Sequence, residues 1–303
     1  MKHLLSIESL SAAEIEEILA LAAELKTTRG RHATHPLRHQ CWAMIFMKSS
    51  TRTRVSFEVG IRELGGDVLF LNPGDIQLGR GEPIKDTARV LGRMVHGIVI
   101  RTFAQADLAE LSTYSGLPVI NALTDEEHPC QILADLQTMQ ERLGGYAGKV
   151  VTFVGDGACN VPASWMWAAA KLGFTLRIAA PGPYQPDAAL LARARAAGPG
   201  TIEVADDLDA AASGADVLYT DVWVSMGKED EAAYRIAQLG GYQINADLVA
   251  KAKPGALVLH CLPAYRGKEI TDDVLEKFAD VIFDEAENRL HAQKAVLSLV
   301  ARG

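Results

Sequence analysis

Short apolar runs alternate with helical patterns along nearly the whole chain, and this alternation restricts the fold more than any other feature. Trp42 to Phe46, Val68 to Leu71, Ile98 to Ile100 and Val119 to Asn121 are brief, continuous and bounded by polar residues, as buried strands are. Between them Ile84, Ala88, Leu91 and Val95 recur at helical spacing, and ahead of them Ser11-Ala12-Ala13-Glu14 forms a capping box before Ile15, Ile18, Leu19 and Ala22. Strands that alternate with helices pair in parallel through βαβ units. A glycine-bearing polar stretch, Leu143 to Lys149, interrupts the pattern. It then resumes with Val150 to Val154, Leu176 to Ala179, Val217 to Thr220, Ala256 to Leu259 and Val281 to Phe283 as strands. At 303 residues the chain exceeds a comfortable single core. The expectation is an α/β protein of two tandem parallel-sheet domains, 1-143 and 144-303, with the active site in the cleft between them and the last helix, about 287-303, able to return to the first domain.

Composition narrows the function classes. The chain is 49% hydrophobic and 22% charged, as folded globular proteins are, and its net charge of -8 leaves no basic footprint for nucleic acid. An anionic substrate then needs a local basic cluster. Cys41, Cys130, Cys159 and Cys261 are far apart and form no C-x-x-C pair, which suits reduced thiols in a cytoplasmic protein. Glu8, Glu14, Glu16 and Glu17 break up the apolar residues that an export signal would need. No apolar stretch approaches the ~20 residues that span a bilayer, so no membrane partner is expected. His32, His35 and His39 have helix-like spacing, but Pro36 breaks the helix and no acidic or thiol ligand lies nearby, so they read as a solvated connection and no metal is expected.

Ligands of open parallel sheets bind beyond the carboxyl ends of the strands, which makes the residues after each apolar run the ones to inspect. Trp42 to Phe46 leads into Lys48-Ser49-Ser50-Thr51-Arg52-Thr53-Arg54, followed by Phe57, Ile61 and Leu64 at helical spacing. Ser49 or Ser50 is a natural N-cap. Arginines in a helix's first turn oppose its macrodipole and are costly unless an anion binds there, where free amides and guanidiniums together cradle phosphate. Arg101 follows Ile98 to Ile100, and His128-Pro129-Cys130-Gln131 follows Val119 to Asn121, so both could converge on the same anion.

In the second half, Val154-Gly155-Asp156-Gly157-Ala158-Cys159-Asn160 invites a dinucleotide reading, but Asn160 takes the third glycine's place and no acidic residue ends the next strand. No nicotinamide or other cofactor is expected. Asp221-Val222-Trp223-Val224-Ser225-Met226-Gly227 offers a carboxylate, a hydroxyl and a flexible glycine, which suit a zwitterionic amino acid. His260-Cys261-Leu262-Pro263 places a thiol at another strand end.

Taken in order, Ser50 to Arg54, Arg101, His128-Pro129-Cys130-Gln131, Asp221-x-Trp223-x-Ser225-Met226-Gly227, His260-Cys261-Leu262-Pro263 and Glu287-Asn288-Arg289 resemble the motif set of the aspartate/ornithine carbamoyltransferase family, over nearly the whole chain. The Ser-Met-Gly loop resembles the ornithine branch. The resemblance implies transfer of the carbamoyl group of carbamoyl phosphate to the side-chain amine of L-ornithine, giving citrulline and phosphate, in arginine biosynthesis or the urea cycle. It implies that Ser50, Thr51, Arg52, Thr53 and Arg54 bind the phosphate, that Arg101, His128 and Gln131 grip the carbamoyl group, and that Cys261, Leu262 and Arg289 close around the reacting carbon. Arg52, Arg101, His128 and Cys261 are the catalytic candidates. Asn160, Asp221, Ser225 and Met226 match ornithine-binding positions, and Gln77 is similar to a residue that enters the neighbouring subunit's site, which implies a homotrimer. Cys159 departs from the family, which usually carries a second asparagine there.

Overall fold

The computed structural model describes residues 1–74, 76–225 and 227–302. They form two compact units, Met1–Gln137 with Glu287–Gly303, and Thr138–Ala286. In the first, α1 (Ala12–Thr27) starts at the capping box: the Ser11 hydroxyl accepts from the Glu14 amide at 3.2 Å, and the Glu14 carboxylate accepts from the Ser11 amide at 2.9 Å. Then follow β1 (Cys41–Phe46), α2 (Thr51–Glu63), β2 (Asp67–Leu71), a short 3-10 turn (Gln77–Arg80), α3 (Ile84–Leu91), β3 (Gly97–Arg101), α4 (Gln105–Ser115), β4 (Val119–Leu123) and α5 (Pro129–Leu143). The sheet is parallel in the order β2-β1-β3-β4. β3 and β4 are buried throughout, β1 in all but its first residue, and β2 is a partly exposed edge. Trp42 lies opposite Gly97 in the β1–β3 register, and a Cβ at Gly97 would come within 2.4 Å of the indole, so the core at this point requires glycine.

The second unit contains β5 (Val150–Val154), α6 (Asn160–Leu172), β6 (Thr175–Ala179), α7 (Ala188–Ala196), β7 (Thr201–Ala205), α8 (Leu208–Ala212), β8 (Val217–Thr220), α9 (Ala232–Leu239), α10 (Ala246–Lys251), β9 (Leu257–His260), α11 (Asp272–Lys277) and the first turns of α12 (Ala279–Val300). Its parallel sheet runs β7-β6-β5-β8-β9. Trp165 anchors the core, edge-on to Tyr219 at 5.5 Å and to Phe174 at 5.9 Å between ring centroids. Strand order reverses between β1 and β3 in one sheet and between β5 and β8 in the other, and a crevice opens at such a point beyond the strand ends. Among the described residues, no helix is long and apolar enough to cross a membrane.

The structure differs from the sequence reading at several points. Val281 to Phe283 is not a strand; it lies in α12, with Val281 and Ile282 buried and Phe283 turned outward, and a run of three apolar residues cannot by itself separate the two states. Thr201–Ala205 is an edge strand missed because only alternate residues are apolar. The compact units divide within α5 and α12, with Glu287–Gly303 joining the first, because packing decides which unit each turn joins, while the glycines after Leu143 mark where α5 stops. His32 is not solvated: its ring is buried beside Lys294, whose ammonium lies 3.1 Å from His32 Nε2 and donates to Glu63 at 2.7 Å. A buried ammonium needs acceptors, and His32 and Glu63 supply them.

Candidate active site

Ser50 is the N-cap of α2, its hydroxyl accepting from the Thr53 amide at 3.3 Å. The helix's first turn has no acidic residue and carries Arg52 and Arg54, so its positive end is reinforced instead of balanced. A pocket of about 410 Å³ opens here, lined by Lys48, Ser49, Ser50, Thr51 and Arg54 with Phe70 and Asn72 from the β2 side. Lys48 pairs with Asp125, and the Arg54 guanidinium stacks on Phe70 at 3.7 Å, so Arg54 points toward the β2 edge.

On the other side of α2's first turn, Thr53 is buried and faces α12. The Arg289 guanidinium donates to Thr53 Oγ1 at 3.1 Å and to Gln131 Oε1 at 2.6 Å, and Gln131 Nε2 donates to the buried Asp135 at 2.8 Å. Arg101 is the last residue of β3, and His128 immediately precedes Pro129 at the start of α5; both are buried. Burial first, then the charges of Arg289 and Arg101, hold the His128 imidazole well below its ordinary pKa. It is therefore neutral near pH 7, with one N–H to donate. Thr53, Arg101, His128, Gln131 and Arg289 thus form one buried, cation-rich cluster at the strand ends, suited to an anion or to a carbonyl acquiring negative charge. Gln77 is exposed at the start of its 3-10 turn.

In the second unit the strand ends of β5, β8 and β9 carry the polar groups. Cys261 Sγ donates to Asp221 Oδ1 at 2.9 Å, and the same oxygen accepts from the Val222 amide at 2.7 Å. Leu262 has a left-handed backbone, unusual for leucine, and its amide donates to His260 Nδ1 at 2.8 Å. That bond puts the imidazole proton on Nε2, which faces Glu269 at 3.2 Å, while Glu285 accepts from the His260 amide at 2.9 Å. Asp221, His260 and Cys261 bring ligand atoms within 4.8 Å of one another, a spacing a metal could use, but each is already engaged in these hydrogen bonds. Cys159 occupies the N-cap position of α6 without a capping bond from its side chain, and Asn160 is the helix's first residue, half-buried. Burial, reinforced by Asp156 and Asp221, pushes the Cys159 thiol pKa well up, so it stays protonated beside these carboxylates. Ser225 is half-exposed on the loop after β8, and Met226 lies outside the described residues.

Sequence reasoning missed Asp135, Glu269 and Glu285, all buried and orienting candidate residues. Asp135 follows Gln131 by one helical turn and could have been found from that spacing. Glu269 and Glu285 carry no local signal.

Two family models cover the chain. The carbamoyl-P binding domain of aspartate/ornithine carbamoyltransferases matches residues 2–141, and the Asp/Orn binding domain matches residues 147–300. The chain is 57% identical to an ornithine carbamoyltransferase of Akkermansia muciniphila, over 99% of this chain and 98% of that protein. It is 51% identical to one from Methanoculleus marisnigri, over 100% and 98%. Among solved structures, the ornithine carbamoyltransferase from Pyrococcus furiosus is similar with a TM-score of 0.94 at 47% identity, covering 100% of this chain and 97% of that one.

Proposed function

The chain belongs to the aspartate/ornithine carbamoyltransferase family, and on that premise we propose that it transfers the carbamoyl group of carbamoyl phosphate to the side-chain amine of L-ornithine, forming L-citrulline and phosphate. The observation that carries the assignment of roles is the interlocked cluster of Thr53, Gln131 and Arg289 beside Arg101 and His128. Ser50, Thr51, Arg52, Thr53 and Arg54 hold the phosphate at the N-terminus of α2. Arg101, His128 and Gln131 hold the carbamoyl group, which Cys261 and Leu262 also serve, and Arg289 orients Thr53 and Gln131. Asn160, Asp221, Ser225 and Met226 take ornithine, with the Asp221 carboxylate matched to its ammonium.

The deprotonated side-chain amine attacks the carbamoyl carbon, a tetrahedral intermediate forms, and the C–O bond to phosphate breaks as the amine passes its extra proton to the departing phosphate. Arg101, neutral His128 and the Thr53 hydroxyl stabilise the oxyanion, since Thr53 accepts from Arg289 and keeps its own hydrogen to donate. Arg52 offsets charge on the departing phosphate. Most of the acceleration then comes from holding two reactants in place and from donors already aimed at the developing charge.

A panel of amine acceptors, namely ornithine, acetylornithine, putrescine and aspartate, tested with carbamoyl phosphate decides the substrate: citrulline formation from ornithine must dominate, and a clear preference for another amine sinks the assignment. We further infer a homotrimer in which Gln77 enters the neighbouring subunit's site, supported by that residue's exposure. A solution mass other than a multiple of three chains would exclude it. The four free thiols fit a reducing, cytoplasmic setting.

A further inference from the structure

The loop after β4 leads straight to His128, and one of its buried side chains takes no part in the proposed chemistry. Glu127 is 4% exposed, and its two carboxylate oxygens accept from consecutive backbone amides far back in the chain, Ile7 at 2.7 Å and Glu8 at 3.3 Å. The segment that supplies those amides is part of the core, with Leu4, Ile7 and Leu10 all buried. Leu4 lies alongside β4, its amide donating to the Val119 carbonyl at 3.0 Å and its carbonyl accepting from the Asn121 amide at 2.7 Å. The Leu5 carbonyl accepts from the side-chain amides of Gln105 and Asn121, each at 2.8 Å.

Gln105 also reaches the loop, its Oε1 accepting from the Thr124 hydroxyl at 2.7 Å. Thr124 Oγ1 in turn accepts from the Glu127 amide at 3.1 Å, and the Thr124 amide donates to the Glu127 carbonyl at 2.9 Å. Residues 124 and 127 thereby close a tight turn whose tip, Asp125 and Glu126, is exposed. A solvent-facing turn is ordinarily among the looser parts of a fold. A group that must meet a developing charge tolerates little looseness, since a misplacement of about 1 Å costs about 100-fold. His128 stands between the two restraints: on one side its carbonyl accepts from the Gln131 amide at 3.0 Å in the first turn of α5, and on the other stands Glu127. Burying a carboxylate is costly unless it is hydrogen-bonded, and the Ile7 and Glu8 amides meet that need at the residue next to His128.

We propose, resting on the reading of His128 as a group that holds the carbamoyl oxygen, that Glu127 is a positioning residue for carbamoyl transfer: by clamping the amides of Ile7 and Glu8 it fixes the backbone from which His128 is aimed. Glu127 touches neither substrate. It acts by reach and not by charge, since the charges that bear on the His128 ring are those of Arg289 and Arg101.

The test uses the full-length enzyme and the amine acceptor that wild type prefers. Glu127→Met should lower kcat about tenfold or more and leave both KM values within about threefold of wild type. Glu127→Gln keeps an oxygen for the Ile7 amide and should retain most of kcat. Glu127→Asp keeps the charge but falls short in reach, and should lose nearly as much as methionine; if Glu127→Met does not fold, this pair carries the test. In a His128→Asn background, itself slow, Glu127→Met should cost less than about a further twofold. Leu19→Ala, which loosens the buried face of α1 away from this turn, should leave kcat within about twofold. A folded Glu127→Met enzyme with kcat within about threefold of wild type overturns the proposal. So does a full loss on top of His128→Asn, a glutamine variant slower than the aspartate one, or an equal loss in Leu19→Ala. Normal kcat in His128→Asn removes the role of His128 and this inference with it, whereas a slow His128→Asn beside a normal Glu127→Met removes the inference alone.

Discussion

Replacing Arg289 by methionine keeps an unbranched apolar stem and removes the guanidinium with its charge and both of its cross-links. Arg289 donates to Thr53 Oγ1 at 3.1 Å and to Gln131 Oε1 at 2.6 Å, inside a cluster buried from solvent. Hydrogen bonds to charged groups contribute about 1.5–3 kcal/mol each, so the pair sets an upper bound of roughly 3–6 kcal/mol on the stability lost. The variant also sheds the cost of burying a guanidinium beside Arg101, which returns a good part of that, and a net loss of about 1–3 kcal/mol is expected. The loss in catalysis should be larger in proportion. Thr53 Oγ1 would no longer be aimed at the oxyanion, nor Gln131 Oε1 held to accept from the carbamoyl nitrogen, and misplacing an oxyanion donor costs about 100-fold or more, equivalent to about 2.7 kcal/mol at 1.36 kcal/mol per decade. Citrulline formation at saturating ornithine, with carbamoyl phosphate varied, reads kcat/KM directly, and urea unfolding of the same preparation reads stability. A folded Arg289→Met enzyme with kcat/KM for carbamoyl phosphate within about threefold of wild type would refute the assignment of Arg289 as the group that orients Thr53 and Gln131.

Three further outcomes are expected. Ser50→Ala removes the cap bond to the Thr53 amide and should cost about 1 kcal/mol in urea unfolding, whereas Ser50→Gly costs only a few tenths; if Ser50 also holds phosphate, both variants raise the KM for carbamoyl phosphate by the same factor, and a normal KM in either removes Ser50 from the site. Gly97→Ala drives a methyl group into the Trp42 ring and should lower stability by about 1–3 kcal/mol, with partial recovery when Trp42 is replaced by phenylalanine; an unchanged urea midpoint would mean the core yields there. Burial, the largest cause in each case, holds His128 well below the usual imidazole pKa and His291 down at about 4, although Glu287 opposes it at His291. The unfolded chain takes up these protons near pH 6.5 and the folded chain does not, so stability is full above that pH and declines as pH falls from about 6.5 toward 4. His291→Leu should flatten the decline, and a urea midpoint independent of pH between 7 and 4.5 in wild type would contradict it.

The elements that could be read from sequence are those whose cause is local. The capping box at Ser11, the cap at Ser50 and the buried strands β1, β3, β4, β5 and β8 each depend on residues a few positions apart. The same holds for the basic, hydroxyl-rich start of α2, where a helix end with two arginines and no acidic residue is electrostatically costly by itself. Tertiary structure decided whatever depends on which surfaces meet. Val281 to Phe283 has the composition of a strand, yet α12 buries Val281 and Ile282 along one helical face and leaves Phe283 outside. The turns of α5 and α12 are divided between the units by packing, although each helix is continuous in sequence. Arg289 reaches Thr53 across 236 positions, and Arg235 reaches Asp156 across 79. Periodicity carries no information at such separations, because such a pair forms only when the fold closes and brings distant positions together.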